Sequence, residues 1–213
     1  MNLTKLSIEE FLQEVDSKSP APGGGSVSAL SSSLGISLGR MVGHLTFGKK
    51  KFNELDSNLQ DEMEKNFDEL GNLNEKLIKL IDKDTDNFNL VMKALKLPKE
   101  TEKEIKDRNI EIEKATLEAT YTPLEIGMLS GEVLEKLKIF VKYGNKNAIT
   151  DVGVACLLCE AGGKGAILNV KINLPSLTDL ELVEKIKKQI NELEKKLIKD
   201  SYEIQKQISE LLD

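Results

Sequence analysis

The chain has 213 residues, 39% hydrophobic and 31% charged, enough to bury one substantial core or two small ones. Aromatics make up 4%, Trp is absent and Pro occurs five times, so the core is aliphatic and the composition favours helices. The net charge of −6 argues against general binding to nucleic acid or an anionic membrane.

The opening MNLTKLSIEEFLQEV reads as an amphipathic helix start, not an apolar leader. Ser7 followed by Glu10 is a capping-box pattern, and Phe11, Leu12 and Val15 continue a helix over about 7–16. A loop over 17–25 leads into a second helix over about 26–46, with Ser26 as its N-cap. The least polar run, 27–39, is too short to span a bilayer and is studded with serine. No membrane is expected as a partner, and the chain reads as cytoplasmic. GKKKF, 48–52, is a turn followed by a basic run.

A long helix is expected over about 55–97, where Leu59, Met63, Phe67, Leu70, Leu73, Leu77, Leu80 and Ile81 recur at threes and fours, and Leu97-Pro98 stops it. A fourth helix covers about 101–141, with Pro123 expected to kink or split it. A turn at 143–145 precedes a weakly charged helix over 147–161. The glycines of 162–165 then lead to AILNVKINL, which fits helix or strand by pattern and is read as helix. The last segment, 178–212, has a heptad-like apolar spacing. No hairpin signal, internal repeat or domain linker appears. The expectation is one all-α domain over 1–213, a bundle of long helices, some kinked, packing as a dimer.

Cys156 and Cys159 form a C-x-x-C pair. One histidine in the chain cannot complete a four-ligand zinc set, and the two thiols read as small core fillers rather than as a metal or redox site. In the second helix Ser31, Gly35, Gly39 and Gly43 recur every four residues, which lets helix backbones approach closely. Each interior glycine costs roughly 1 kcal/mol against alanine, so a compensating contact is needed, with another helix of the chain or with a second subunit.

SPAPGGGSVSAL, 19–30, places three glycines where that helix starts. Gly23, Gly24 and Gly25 permit positive φ and close approach by a ligand, and the helix start offers free N–H groups to an anion or a carbonyl. On spacing alone a plain tight loop is an equal reading. No G-K-[ST] follows and no strand precedes it, so it is neither a Walker loop nor a dinucleotide fingerprint.

This stretch resembles the P-x-P-G-G-G-S-V-x-A-L signature of the cyclodeaminase domain of formiminotransferase-cyclodeaminase, a family that includes the bacterial methenyltetrahydrofolate cyclohydrolases. Further stretches are similar to that family in order. They are GKKKF; DTDNFNLVMKALKLPK, 84–99, with Asn87 where the family usually has Ala; ATLEATYTPLEI, 115–126; and GNKNAITDVGVA, 144–155, with ILNVKINL, 167–174. The resemblance covers about 6–208. It implies an all-helical domain that dimerises with its pocket near the subunit interface, and one-carbon chemistry on tetrahydrofolate with no cofactor beyond that substrate and no metal. The activity it implies first is formiminotetrahydrofolate cyclodeaminase, closing the substrate to methenyltetrahydrofolate with release of ammonia. The second is methenyltetrahydrofolate cyclohydrolase, forming 10-formyltetrahydrofolate. A separate formiminotransferase is a possible partner. Without the resemblance, the heptad-like last helix and the Gly/Ser stripe would fit a non-catalytic dimerisation module.

Both reactions move protons at one carbon held between two folate nitrogens, which a carboxylate or lysine of shifted pKa can serve. Asp151, at the start of an apolar helix, Asp84 in the long-helix motif and Lys99 after Pro98 are the catalytic candidates. Gly23, Gly24, Gly25 and Ser26 are substrate-binding candidates. Lys49, Lys50 and Lys51 suit the glutamate tail of folate, often polyglutamylated, and Arg108 is a further basic candidate. Asn145, Asn169 and Asn173 offer amides that donate and accept, as a pterin edge requires. Solvated lysines, a first-turn acid, and capping or turn duty for the asparagines are the ordinary structural alternatives.

Overall fold

A computed structural model describes residues 2–213, and all regular structure among them is helical. The elements are α1 (Ile8–Val15), α2 (Gly24–His44), the single turn α3 (Lys50–Asn53), α4 (Ser57–Leu95), α5 (Glu102–Tyr143), α6 (Ile149–Asn173) and α7 (Leu180–Leu212). Short 3-10 turns stand before α1 and on either side of α6. The capping boxes at Ser7 and Thr101 are both formed, and Asp56 and Asp179 cap α4 and α7. These side chains satisfy N–H groups that have no intrahelical acceptor. No helix among the described residues is long and apolar enough to cross a membrane.

Two expected breaks do not occur. Pro123 lies inside an unbroken α5, and Gly162, Gly163 and Gly165 lie inside an unbroken α6. The split at Pro123 and the end of the helix before the glycines are corrections to the sequence reading. For α6 the reason is packing: its glycines face neighbouring helices that leave no room for a Cβ. One at Gly162 would fall 2.2 Å from Ser32 Oγ and 2.6 Å from the Ser28 carbonyl oxygen, both on α2. On the other side a Cβ at Gly163 would meet Leu197 of α7 at 2.8 Å.

The stripe on α2 makes the matching contacts. A Cβ at Gly35 would lie 2.5 Å from Cys159 Sγ and 2.7 Å from the Ala155 carbonyl oxygen, at Gly39 2.4 Å from Leu137, and at Gly43 2.6 Å from Phe67. The compensating partners of α2 are thus α6, α5 and α4 of the same chain. Residues rising along α2 meet residues falling along α6, so the two helices are antiparallel. Ser31 Oγ donates to the Leu158 carbonyl at 2.8 Å, and the hydroxyls of Ser32 and Ser130 bond at 2.7 Å. Cys156 and Cys159 are fully buried in this layer, and burial pushes both thiols up. They fill core space, as their apolar setting suggests.

The rest of the core is aliphatic, with Phe140 the largest fully buried side chain. α7 closes the bundle over α5 and α6 through Val183, Ile186, Ile190, Leu197, Ile204 and Ile208. Asp200 on α7 is buried, and it accepts from Lys138 at 2.5 Å and Lys196 at 2.6 Å. Burial raises its carboxyl, but the two lysines outweigh that and hold it below its ordinary value.

Gly162→Val replaces a backbone-to-backbone contact with a clash that flexible side chains cannot absorb. The variant should lose at least roughly 1–3 kcal/mol, read as a lower denaturant midpoint. Gly48→Ala meets nothing within 4 Å but takes φ +71°, so it should lose only about 1 kcal/mol, through left-handed backbone strain.

Candidate functional site

The N-terminal end of α2 opens onto a cleft between α2, α4, α5 and α6. The chain reaches it through Pro20 and a cis Ala21–Pro22 bond. Gly23 is the N-cap, with no side-chain cap bond. Ser26, expected as the cap, instead sits in the first turn, fully buried. Its hydroxyl donates to the Ile81 carbonyl at 2.7 Å and meets Thr85 Oγ1 at 3.1 Å, so it faces α4 and has no surface to offer a ligand. The glycines that precede it leave the helix end bare.

That bare end is occupied by the chain's own Asp84. The Ser26 N–H donates to Asp84 Oδ2 at 2.9 Å, and Ser26 Oγ lies 3.2 Å from the same oxygen. A Cβ at Gly25 would fall 2.1 Å from Asp84 Oδ1, and one at Gly24 would fall 2.8 Å from Asn169 Nδ2. The triple glycine therefore first admits a carboxylate from α4 and an amide from α6. Burial pushes the Asp84 carboxyl above its ordinary 3.8, against the opposing pull of the two bonds from Ser26. A carboxylate raised by burial at the wall of a cleft is a candidate for taking and returning a proton.

Asn169 Nδ2 donates to the Gly165 carbonyl one turn back at 2.8 Å, and Asn173 Nδ2 donates to the Ala119 carbonyl of α5 at 2.8 Å. With Phe88, Val91, Ala119 and Ile172 these groups line a cleft of about 250 Å³. That is below the roughly 300–1,000 Å³ of pockets that enclose whole ligands, so the cleft has room for only one end of a larger molecule. Phe88 and Val91 were absent from the sequence candidates. They stand four and seven residues beyond Asp84, a spacing that puts all three on one helix face and could have found them.

The other candidates lie elsewhere. Lys49, Lys50, Lys51 and Asn145 line a second groove, of about 630 Å³, at the C-terminal end of α2. The 21 residues of α2 separate the two places by about 30 Å. The three lysines are exposed and floored by Phe52, Leu55 and Tyr143. Lys146 joins them. Burial, with the nearby charge of Lys51, holds its ammonium below the usual value, and it donates to the Val141 and Lys142 carbonyls at 2.9 and 3.0 Å. The Asn145 amide is spent on the fold, donating to the Leu45 carbonyl at 3.0 Å and accepting from the Asn147 N–H at 3.0 Å. Asp151, in the first turn of α6, is 18 residues and about 27 Å from Asn169 along that helix. Lys99 is exposed in the α4–α5 turn, and Arg108, in the second turn of α5, donates to the Leu95 carbonyl at 3.1 Å. Within one chain, then, Asp84, the glycines, Asn169 and Asn173 come together, and Asp151, Lys99, Arg108 and the lysine cluster do not join them.

A fold of this kind around such a cleft defines a family. The sequence profile described as Formiminotransferase-cyclodeaminase matches residues 7–192, and the chain belongs to that family. The Methylorubrum extorquens methenyltetrahydrofolate cyclohydrolase is 37% identical over 187 residues, 88% of each chain. The Dictyostelium discoideum formimidoyltransferase-cyclodeaminase is 37% identical over 210 residues, 99% of this chain and 37% of that one. The chain thus spans about a third of the length of such transferase-cyclodeaminases. The crystal structure of formiminotetrahydrofolate cyclodeaminase from Thermotoga maritima superposes with a TM-score of 0.86 over 98% of both chains, at 27% identity.

If the glycines serve Asp84 and Asn169, Gly25→Ala should lower turnover at least tenfold while circular dichroism keeps its helical amplitude. A bulky side chain at Gly24 should do the same by displacing Asn169.

Proposed function

We propose that the protein is a folate one-carbon enzyme and that its reaction is the cyclodeamination of formiminotetrahydrofolate. The observation that carries this reading is Asp84: a carboxylate raised by burial, fixed by the start of α2, beside two side-chain amides in a cleft that takes one end of a ligand. Family membership and the likeness in fold to the Thermotoga maritima cyclodeaminase support it. In the reaction the N10 nitrogen attacks the formimino carbon attached to N5. The formimino group reacts as its amidinium: the N10–C bond forms, Asp84 takes the N10 proton and returns it to the amino nitrogen of the tetrahedral adduct. The C–N bond to that nitrogen then breaks, its electron pair leaving with ammonia, and N5 supplies the pair that completes the cationic methenyl bridge. Positioning the two nitrogens contributes alongside the proton transfer. No cofactor beyond the folate enters this scheme. The similarity of the Methylorubrum extorquens cyclohydrolase over 88% of both chains favours a second reading, in which Asp84 activates water toward the methenyl carbon.

The same proposal takes the protein as a cytoplasmic homodimer. The outer face of α2 and α6 presents Val27, Leu34, Met41, Val154, Leu157 and Leu168 to solvent, on a chain that is 31% charged. A second copy crossing antiparallel at the middle of α2 would cover this face. It would also bring the Lys49–Lys51 groove of one subunit to the Asp84 cleft of the other, where lysines suit the glutamate tail of the folate. In this arrangement Asp151 also approaches the cleft from the partner. Folate substrate and a separate formiminotransferase are the partners this reading calls for.

Purified protein supplied with formiminotetrahydrofolate should release ammonia as the methenyl absorbance rises. If the second reading holds, methenyltetrahydrofolate alone should lose that absorbance. Failure of both with folded protein leaves the non-catalytic dimerisation module. Asp84→Asn should cut kcat by roughly 10²–10⁴, and the acid limb of the wild-type pH profile should lie above 3.8. Leu34→Arg, at a position 51% exposed, should give a folded monomer by sedimentation with activity lost. An active monomer would refute the shared-site arrangement.

A further inference from the structure

Pro123 stands in the interior of α5 without interrupting it. A proline there has no N–H to give to the carbonyl four residues back, and for Pro123 that carbonyl is Ala119's. Ala119 lines the Asp84 cleft. Its oxygen does not go without a donor, because Asn173 Nδ2 reaches across from the end of α6 and bonds it at 2.8 Å. Buried or half-buried carbonyls demand a partner, and the side chain supplies the one that the proline withholds. Asn87 ties α4 to the same turn of α5, donating to the Glu118 carbonyl at 3.2 Å and to Thr122 Oγ1 at 2.7 Å.

An amide group is planar, with its oxygen and nitrogen on opposite edges. With Nδ2 held by Ala119, the Asn173 oxygen is turned away from α5, and it accepts nothing from the described residues. Asn169 is constrained in the same sense. Its Nδ2 is given to Gly165, and its oxygen likewise accepts no bond within the described residues. Beside them Asp84 directs both interactions with Ser26 to Oδ2, leaving Oδ1.

We propose that Pro123 is a positioning residue for this cleft: by freeing the Ala119 carbonyl it orients Asn173, and the cleft becomes a cradle of hydrogen-bond acceptors for the N–H edge of an electron-poor ligand. Asp84 Oδ1, Asn169 Oδ1 and Asn173 Oδ1 make up the cradle. The ligand class is a planar nitrogen heterocycle or amidinium that donates hydrogen bonds, and one whose polar edge only accepts is disfavoured. This inference rests on the folate reading for the identity of that ligand, though not for the Pro123–Asn173 relation.

The test is Pro123→Ala in the full chain, alone and with Asn173→Ala. Alanine restores the N–H, so Ala119 regains its helical donor and its carbonyl no longer depends on Asn173, whose hold on it weakens. In ¹⁵N-labelled protein without ligand, exchange of the Asn173 side-chain amide protons should speed up at least tenfold. The denaturant midpoint should stay level or rise, since alanine is the better helix residue. With substrate, KM should rise roughly tenfold, the scale of one hydrogen bond, while kcat changes by less than threefold. The double variant should match Asn173→Ala alone. Unchanged amide exchange would overturn the link between Pro123 and Asn173. A rise in KM that adds fully to that of Asn173→Ala would overturn the claim that the proline acts through the amide. Wild-type protein that turns over no folate would refute the folate reading and the ligand assignment, and the exchange measurement would still judge the positioning role.

Discussion

The backbone contact between α2 and α6 is the constraint on which the rest depends. Gly35 lies against the Ala155 carbonyl and Gly162 against the Ser28 carbonyl, so the two helices touch main chain to main chain over several turns. That contact fixes the axial register of α6 against α2, because a glycine on each helix must find the other's bare backbone. Register then decides which side chain of α6 arrives at the start of α2, and the residue delivered there is Asn169. A shift of one turn along α6 would bring Gly165 or Asn173 to that place instead. Shape at the middle of the helix pair thereby controls which side chains meet at its end.

The second determinant is electrostatic. The start of a helix carries unsatisfied N–H groups and a partial positive charge, and in many proteins a ligand supplies the anion. Here α4 supplies it. Asp84 is attracted by that helix end and penalised by its own burial, and burial prevails. The result is a carboxylate held in one place by Ser26 whose proton affinity is nonetheless raised. Fixation and basicity usually oppose each other, since bonds that hold a carboxylate also acidify it. The small number of such bonds at Asp84, all to one oxygen, lets both coexist.

The helices were legible because their signals are local. Ser7 with Glu10 marks a start wherever it occurs, and the apolar spacing of α4 and α7 follows from the 3.6-residue turn. Pro123 and the run Gly162–Gly165 misled for a related reason: a breaker acts locally, but what overrules it is distant. The glycines of α6 are held helical by Ser28, Ser32 and Leu197. Asp84 and Asn169 were legible as members of a resemblance, and their meeting at Gly24 and Gly25 was not, because it joins residues far apart in the chain. Lys99 and Arg108 looked like site residues from charge and motif, and they lie beyond the last turns of α4 and in the first turns of α5, outside the cleft lining. Asn145 looked like a free amide, and its two bonds to the turns around it were invisible until the chain was folded.

The four glycines of α6, Gly153, Gly162, Gly163 and Gly165, have a kinetic consequence. Together they weaken the isolated helix by about 4 kcal/mol relative to alanine, and its partner α2 lies more than a hundred residues earlier in the chain. The segment that carries both cleft asparagines therefore gains its shape only when distant parts of the polypeptide have already found each other, a slow kind of encounter. The cleft is thus expected to form late in folding, after α2 and α6 have met, rather than in step with helix content.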